Sequence, residues 1–466
     1  MGASAVEDKA GRGEAAVLTK GIQPLEFDDG QKGNQFSETD CQFSFLGCRR
    51  WRSVAGGVFG TLRLETLLIT AGSDVGRRTS ARKELLMKLL QRSVLAVVIA
   101  AGLCSAMVAA QTTRWTEQKA NSWYAQQPWL VGSNYIPKSA INELEMWQEA
   151  TFDPGQIDKE LGWAEGLGMN SMRVFLHDLL WQQDAAGFQK RIDQFLAIAA
   201  RHHIRPLFVL FDSCWDPLPH LGPQHPPIPG VHNSGWVQSP GAVALADEKQ
   251  YPRLKAYVQG VVGAFARDDR VLGWDVWNEP GSDNAGSYPK EELKPKDKVA
   301  RVAALLPQVF AWAREVNPTQ PLTSGVWSID ISVDPLSAGG QGELQDIQLR
   351  ESDIITFHNY SWPENFKNEV EWLKKRNRPV ICTEYMARSV GSTFDTILPI
   401  AKQEKVGAIN WGFVAGKTQT YYPWESWEHP YILSQPPVWF HEVLRGDGTP
   451  YRDAEVALIR ELTGKR

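Results

Sequence analysis

The sequence predicts an α/β fold of the (β/α)8 type, a TIM barrel that forms one catalytic domain with long βα loops. Short apolar runs alternate with amphipathic segments eight times from residue 129 onward. About 340 residues are available for these units, enough for a barrel with extended loops. No glycine-rich phosphate-binding loop follows the first apolar run, which disfavours the rival fold, a doubly wound open sheet.

Each predicted strand is an apolar run bounded by turn-forming residues, and helical spacing of apolar residues fills the segments between them. In chain order the predicted strands are Trp129–Ile136, Ser171–His177, Arg205–Phe211, Val271–Trp277, Leu322–Trp327, Ile354–Tyr360, Val380–Tyr385 and Val406–Phe413. Two of the connections that follow strands are long, at Asp212–Gln250 and Ala415–Pro437. Both would lie on the catalytic rim of a barrel, where such loops shape a substrate cleft.

The first 110 residues differ from the rest. Met87 opens a short basic segment, and the uncharged apolar run Ser93–Ala110 follows it and ends in small residues. This pattern predicts a signal peptide over residues 87–110 and a secreted or periplasmic protein with a catalytic domain over 111–466. Residues 1–86 are then an upstream extension of the gene model or a disordered tail. The apolar run is short for a membrane span, so no stable membrane anchor is expected.

The charge balance of the predicted catalytic domain argues against two classes of partner. Of the 49 Lys and Arg and 54 Asp and Glu in the chain, residues 1–110 hold 14 and 11, which leaves 35 against 43. An acidic surface without a basic run disfavours nucleic acid or an anionic membrane as partner. Two cysteines remain, Cys214 and Cys382, and the predicted strand order sets them on opposite sides of the barrel, too far apart for a disulfide. A monomer is the default expectation.

Two carboxylates carry the functional prediction. Glu279 follows the fourth predicted strand within Trp277-Asn278-Glu279-Pro280, and Glu384 lies at the end of the seventh, within Thr383-Glu384-Tyr385. A pair of carboxylates that face each other at the C-terminal ends of barrel strands suits hydrolysis of a glycosidic bond. Glu279 would be the acid/base and Glu384 the nucleophile.

Five further residues are predicted to bind substrate or to tune these carboxylates. Arg173, inward on the second strand, would supply a cation, and Tyr360 a hydroxyl group. His358 lies on the same face of its strand as Tyr360, two residues away. Asn278 would hydrogen-bond the 2-hydroxyl of the sugar. Trp411, at the end of the eighth strand, would form the floor under the sugar ring.

These motifs resemble the clan A glycoside hydrolases, and in particular glycoside hydrolase family 5 of the cellulase and mannanase type. The resemblance spans the barrel and rests on the strand-end residues named above, with Phe357-His358-Asn359-Tyr360 on the sixth strand. It implies a retaining mechanism, β-linked glycans of the mannan or glucan type as substrate, and neither metal nor cofactor. The family usually has a histidine near the end of the third strand, whereas this chain reads Leu210-Phe211-Asp212-Ser213-Cys214-Trp215. A sibling family of the same clan therefore stays open.

Two alternatives to hydrolysis remain at this stage, a transglycosidase of the same clan and a carbohydrate-binding barrel without turnover. The sequence does not decide between endo and exo action, because that depends on whether the two long loops block one end of the cleft. Nor does it identify the sugar. Aromatic residues predicted in rim loops are candidates for sugar stacking; they are Trp215, Trp236, Trp362, Trp424 and Trp427.

Overall fold

The computed structural model describes residues 113–284, 287–288, 296–328 and 339–465, together with Met87; for 339–341 only the backbone is described. Apart from Met87, the predicted signal peptide and the segment 1–86 lie outside the described residues. Among the residues that are described, no helix is both long and apolar enough to cross a lipid bilayer.

Eight parallel strands form the barrel and confirm the predicted (β/α)8 fold. The strands are β1 (Val131–Asn134), β2 (Ser171–Phe175), β3 (Arg205–Val209), β4 (Gly273–Asp275), β5 (Leu322–Thr323), β6 (Ile355–His358), β7 (Val380–Glu384) and β8 (Gly407–Asn410). Their order in the sheet is β5-β4-β3-β2-β1-β8-β7-β6. A parallel bridge between Val326 and Phe357 joins the β5 and β6 sides and closes the barrel.

Helices surround the strands. In the described residues they are α1 (Glu117–Ala125), α2 (Glu143–Trp147), α3 (Pro154–Gly166), α4 (Asp178–Arg201), α5 (Ala242–Ala246), α6 (Tyr251–Ala264), α7 (Lys298–Glu315), α8 (Gly339–Glu351), α9 (Pro363–Lys374), α10 (Phe394–Gln403) and α11 (Asp453–Thr463). The apolar side of α4 is buried at Phe188, Ile192 and Phe195, as its helical spacing indicates. The main apolar core lies between these helices and the strands.

The observed strands are shorter than the predicted ones, and the difference lies mainly at their ends. The fourth run was predicted over Val271–Trp277, but only Gly273–Asp275 joins the ladder. Val276 and Trp277 remain fully buried, so packing also accounts for their apolar character. Main-chain pairing continues irregularly beyond β4, with the Val276 N–H donating to the Thr323 carbonyl and Asn278 bridging Asp212 in parallel, up to the turn at Glu279, whose φ is +40°.

The interior of the barrel has an apolar floor and a polar top. The floor is a cluster of buried side chains from the strand starts, sealed from below by Trp115; it includes Leu130, Leu207, Leu272, Ile354, Ile381 and Ile409. Full burial of each aliphatic side chain contributes about 1.5–3 kcal/mol. Above this layer lie Arg173, Asp275 and Glu384, all at most 5% exposed. The apolar floor thus supports a charged layer that faces the catalytic end.

Candidate active site

Glu279 and Glu384 line one cavity of about 740 Å³ at the C-terminal end of the barrel. Glu384 is the last residue of β7, so the strand ladder fixes its backbone. Glu279 lies beyond β4 in a left-handed conformation, which is uncommon for a residue with a Cβ and is often found at functional sites. An oxygen of Glu279 and an oxygen of Glu384 lie within 4.8 Å of each other.

Arg173 lies beneath the cavity, fully buried, and bonds to four side chains. Its Nη1 donates to Glu384 Oε1 at 2.7 Å and to Asn134 Oδ1 at 3.0 Å. Nη2 donates to Asn278 Oδ1 at 2.7 Å and to Asp275 Oδ2 at 2.8 Å, and Nε donates to the same Asp275 oxygen at 3.1 Å. Two carboxylates and two amide oxygens offset the cost of burying this cation. The predicted positive charge beside Glu384 is in place.

Glu384 is surrounded by groups that stabilise its carboxylate form. Besides its ion pair with Arg173, it accepts a hydrogen bond from the Tyr360 hydroxyl, which lies 2.7 Å from Oε2. Burial raises the pKa of Glu384, and the charge of Arg173 and the hydrogen bond from Tyr360 oppose that rise. Burial also raises the pKa of Tyr360 well above its usual value, so the phenol keeps its proton and remains a donor.

Glu279 has neutral groups as its nearest partners. His358 Nδ1 lies 2.8 Å from Oε1, and the Cys214 thiol donates to Oε2 across 3.2 Å. Burial raises the pKa of Glu279; the thiol hydrogen bond and the charge of Arg173 oppose it. Arg173 makes its ion pairs with Asp275 and Glu384 instead. A proton shared by this pair of carboxyls therefore resides on Glu279.

His358 connects the two carboxyls. Burial lowers the pKa of His358 to about 4, so its ring is neutral at neutral pH. Its Nε2 lies 3.6 Å from Glu384 Oε1. We assign the ring hydrogen to Nε2, because it then faces the negative Glu384 and leaves Nδ1 free to accept the proton of Glu279. This tautomer fits a protonated Glu279 beside an ionised Glu384.

Asn278 lines the cavity, and both the oxygen and the nitrogen of its side-chain amide are hydrogen-bonded. Its oxygen accepts from Arg173, and its Nδ2 donates to Asp212 Oδ1 at 2.9 Å. Asp212 also accepts from the indole nitrogen of Trp236 at 2.7 Å. The contact predicted between Asn278 and a sugar 2-hydroxyl stays a prediction.

Trp411, the predicted floor, directly follows β8 and lines the cavity. Its ring makes edge contacts with Phe175 and Trp236, each at 5.8 Å between centroids. The next residue, Gly412, has φ +79°, and a Cβ there would lie 2.7 Å from His441 Cβ. Glycine at this turn therefore lets the chain bend away directly behind the tryptophan.

The rim tryptophans divide into two groups. Of the five candidates, four line the cavity; they are Trp215, Trp236, Trp424 and Trp427. Trp236 is only 2% exposed, so it belongs to the wall of the cavity rather than to an open stacking surface. Trp362 is 64% exposed and lies outside the cavity lining.

Three residues of the site form the one cluster in the described part of the chain whose spacing would suit a metal ion. These are Glu279, His358 and Glu384. Arg173 Nη1 already lies 2.7 Å from Glu384 Oε1, and a fixed positive charge there opposes a second cation. The arrangement favours acid/base and nucleophilic chemistry at the two carboxyls.

The structure brings the predicted site residues together, with neighbours that were not predicted. Six of the seven predicted site residues line the cavity, and Arg173 lies directly below it. No role at the site was predicted for Cys214, whose thiol touches Glu279. Trp327 ends the fifth predicted strand, a position that could have indicated its place in the lining. No pattern in the sequence pointed to His441, which also lines the cavity.

Comparison with known proteins gives a consistent result. The family model for cellulase (glycosyl hydrolase family 5) matches residues 229–417. GH5_18 from Streptomyces cattleya in complex with GlcNAc has a similar fold, with a TM-score of 0.50 and 13% identity over 72% of this chain and 80% of that chain. A variant of GH5_18 from the same organism, in complex with Manβ1-4GlcNAc, gives a TM-score of 0.50 and 12% identity over 72% and 81%.

The exo-β-1,4-mannosidase Op5Man5 from Opitutaceae bacterium strain TAV5 is 17% identical over 72% of this chain and 60% of that chain, with a TM-score of 0.48. None of the curated proteins compared with the chain matches it.

Proposed function

We propose that this chain, a (β/α)8 glycoside hydrolase that resembles glycoside hydrolase family 5, hydrolyses β-linked glycans of the mannan or glucan type by double displacement. The observation that carries this proposal is the approach of Glu279 and Glu384 oxygens to within 4.8 Å. Retaining enzymes hold their two carboxyls about 5–5.5 Å apart, whereas inverting enzymes leave roughly 6.5–9.5 Å for a water molecule. Oxygens that approach this closely support the retaining arrangement over the inverting one.

In the first step, the Glu384 carboxylate attacks the anomeric carbon of the sugar. The bond to the leaving oxygen breaks as Glu279 transfers its proton to that oxygen, and a covalent glycosyl ester forms on Glu384. In the second step, Glu279 takes a proton from water, and the water oxygen attacks the anomeric carbon. Glu384 then leaves as a carboxylate, and Glu279 is protonated again.

The surroundings of each carboxyl support this division of roles. Arg173 and Tyr360 both stabilise the charged form of Glu384, which has to be ionised to attack. Once the ester forms, the negative charge near Glu279 disappears, and the pKa of Glu279 falls. This decrease favours the base form of Glu279 just when water has to be activated.

The names of the similar structures suggest which substrates to test first. A GH5_18 structure contains Manβ1-4GlcNAc, so β-mannosides belong beside β-glucosides in the first panel. Exposed aromatic edges around the cavity, from Trp215, Trp424 and Trp427, offer flat apolar surfaces for pyranose rings.

The first test replaces Glu384 with Gln and measures hydrolysis of aryl β-mannosides, aryl β-glucosides, β-mannan and β-glucan. Because Gln cannot act as an anionic nucleophile, we expect a loss of activity on the order of 10⁴-fold or more with the fold retained. Glu371→Gln, an exposed change on α9, is the matched control and should leave activity unchanged. Substantial turnover by the Glu384→Gln protein would refute the assignment.

We also propose that the protein is exported, on the basis of the segment 87–110. Residues 111–466 would then be the mature domain. N-terminal sequencing of the exported protein should begin near residue 111, and a mature form that retains residues before Met87 would contradict this start.

A further inference from the structure

The two long loops, which follow β3 and β8, are hydrogen-bonded to each other across the rim of the barrel. The main-chain N–H of His232 donates to the Ser426 hydroxyl at 2.8 Å, and that of Asn233 donates to the Thr418 carbonyl at 2.8 Å. His232 Nδ1 also bonds to the Tyr422 carbonyl at 2.7 Å. The loops therefore form one continuous surface.

This loop wall, which we define as residues 228–236 and 418–431, passes over β1 and β2. In the sheet these two strands lie between β3 and β8, so a bridge between the loops has to cross above them. Within the described parts of the chain, no residue before Asp212 lines the catalytic cavity. The ends of β1 and β2 line instead a separate space of about 20 Å³ behind Trp236 and Trp411. The wall closes this side of the barrel mouth.

The inner side of the loop wall is packed like a core, whereas Ile228 and Trp424 on its outer side are 46% and 40% exposed. His232 and Ser426 are at most 1% exposed. From behind, Asn142 Nδ2 donates to the Gly235 carbonyl at 2.8 Å and ties the wall to the segment before α2. Buried, hydrogen-bonded backbone of this kind opens rarely. The closure is therefore a standing feature of the site.

Aromatic contacts extend the closure on both sides. Trp427 stacks on Trp215, with centroids 5.6 Å apart and planes 12° from parallel. At the other side, Trp424 makes an edge contact with Tyr360, which follows β6, at 5.2 Å. The main-chain N–H of Trp215 also donates to Asn284 at 2.8 Å, so the Trp215–Trp427 stack borders the region beside Glu279. The contact of Trp424 with Tyr360 extends the closed side from β8 to the end of β6.

The position of Glu279 fixes which end of a bound substrate meets this wall. Because Glu279 protonates the leaving oxygen, the leaving group lies beside it, where Asn284 and Trp327 line the cavity after β4 and β5. The sugar under attack lies deeper, over Trp411, and Trp411 packs against Trp236 of the loop wall. Another sugar residue on that side would have to occupy the volume of the wall.

We propose that the protein is an exo-acting β-glycosidase that removes single sugar residues from the non-reducing end of a β-linked oligosaccharide. This inference rests on the proposed function and specifies which part of the substrate binds at the closed side of the site. The loop wall leaves room for one sugar before the scissile bond, and the chain continues only on the leaving-group side.

The test uses β-1,4-linked mannopentaose and cellopentaose that carry a fluorescent label at the reducing end. We expect free monosaccharide as the first product, and labelled chains that shorten by one residue at a time. The viscosity of β-mannan and β-glucan solutions should stay constant meanwhile. Labelled fragments two or three residues long at the earliest times, or a rapid fall in viscosity, would overturn the exo assignment.

The Glu384→Gln protein, run in parallel, separates the two proposals. Internal cleavage that disappears in this variant would overturn the exo assignment and leave the proposed function standing. If no substrate, including aryl β-glycosides, shows Glu384-dependent cleavage, this result contradicts both the proposed function and the exo assignment.

A variant that loosens the loop wall tests its role directly. Gln419 Nε2 donates to the carbonyls of Ile228 and Val231 at 2.8 and 3.2 Å. Its φ of +55° suits asparagine, so Gln419→Asn combined with Ser426→Ala removes cross-loop bonds without new backbone strain.

We expect disaccharide to appear among the first products of this double variant. The matched control is Gln259→Asn, a half-buried position on α6 that bonds to Glu315; it should release monosaccharide only. Should melting show that the double variant does not fold, Ser426→Ala alone replaces it. A folded variant that still releases only monosaccharide, although the bonds made by the Gln419 and Ser426 side chains are gone, would contradict the role of the wall.

Discussion

The two carboxyls of the site occupy surroundings of opposite kind. Glu384 ends a strand and contacts the guanidinium of Arg173 and the hydroxyl of Tyr360. Glu279 lies in a loop, with φ +40°, and contacts a thiol and a neutral imidazole. A strand end beside a fixed cation keeps one carboxyl charged. A loop with neutral neighbours lets the other gain and lose a proton, so the two carboxyls of one cavity serve different roles.

Among changes that leave the Glu384 carboxylate in place, the largest expected effect comes from Glu279→Gln, which removes the proton donor. For natural oligosaccharides, whose leaving groups need protonation, we expect kcat/KM to fall by about 10²–10⁴-fold. For dinitrophenyl glycosides, whose leaving group departs unprotonated, kcat/KM should change little. Steady-state kinetics on both substrate types measures the contrast. An equal loss on both types would mean that Glu279 is not the acid.

The next largest effect comes from replacing Arg173, the cation that pairs with Glu384. Arg173→Met leaves Glu384 and Asp275 buried without their cation, so the free energy of unfolding should fall by about 3–5 kcal/mol. Arg173→Lys restores a charge but cannot reach four partners in a planar fork. We expect Arg173→Lys to keep most of the stability and still lose about 10²–10³-fold in kcat.

Denaturant unfolding and initial rates check both variants, with Arg350→Met, which is 54% exposed, as the control. If Arg173→Lys had full activity, a charge alone would suffice and the planar fork of the guanidinium would have no catalytic role.

The smallest expected effect concerns the contact of Cys214 with Glu279 and its influence on the pKa of Glu279. Burial raises the pKa of the Cys214 thiol well above its usual value, so the thiol keeps its proton and donates to the Glu279 carboxylate. This bond favours the charged form and lowers the pKa of Glu279. Cys214→Ala should therefore raise that pKa and move the alkaline limb of kcat/KM upward by about 0.4–1 pH unit.

Cys214→Ser keeps a donor at this position, and its alkaline limb should stay in place. The pH profiles of the two variants therefore form a matched pair. If the alkaline limbs of Cys214→Ala and Cys214→Ser coincided, the hydrogen bond from the thiol would have no effect on the pKa of Glu279.

The barrel could be predicted from the sequence because its signals are local. Each strand is an apolar run of its own, and the acidic residues that end two of them are visible without knowledge of the fold. Val271–Trp277 was nevertheless predicted too long, because burial of Val276 and Trp277 produces the same apolar pattern as strand pairing. Periodicity does not distinguish these two causes.

The loop wall and the thiol could not be predicted for a different reason. The bonds across the wall mostly use main-chain groups, such as the carbonyls of Thr418 and Tyr422, and every residue carries those. Cys214 reaches Glu279 from the loop after β3, where its N–H bonds to Asp212 and the chain turns at Trp215 with a φ of +67°. Such a turn at a tryptophan has no sequence signature.

The most direct test of Glu384 as the nucleophile is to trap the covalent glycosyl-enzyme intermediate. The protein is incubated with 2-deoxy-2-fluoro β-mannosyl and β-glucosyl fluorides, which slow the second step more than the first, and is then digested and sequenced by mass spectrometry. We predict one added 2-fluoroglycosyl group, on Glu384 alone. A label on Glu279 instead, or rapid turnover with inverted product and no label, would contradict the assignment of nucleophile and acid on which the account rests.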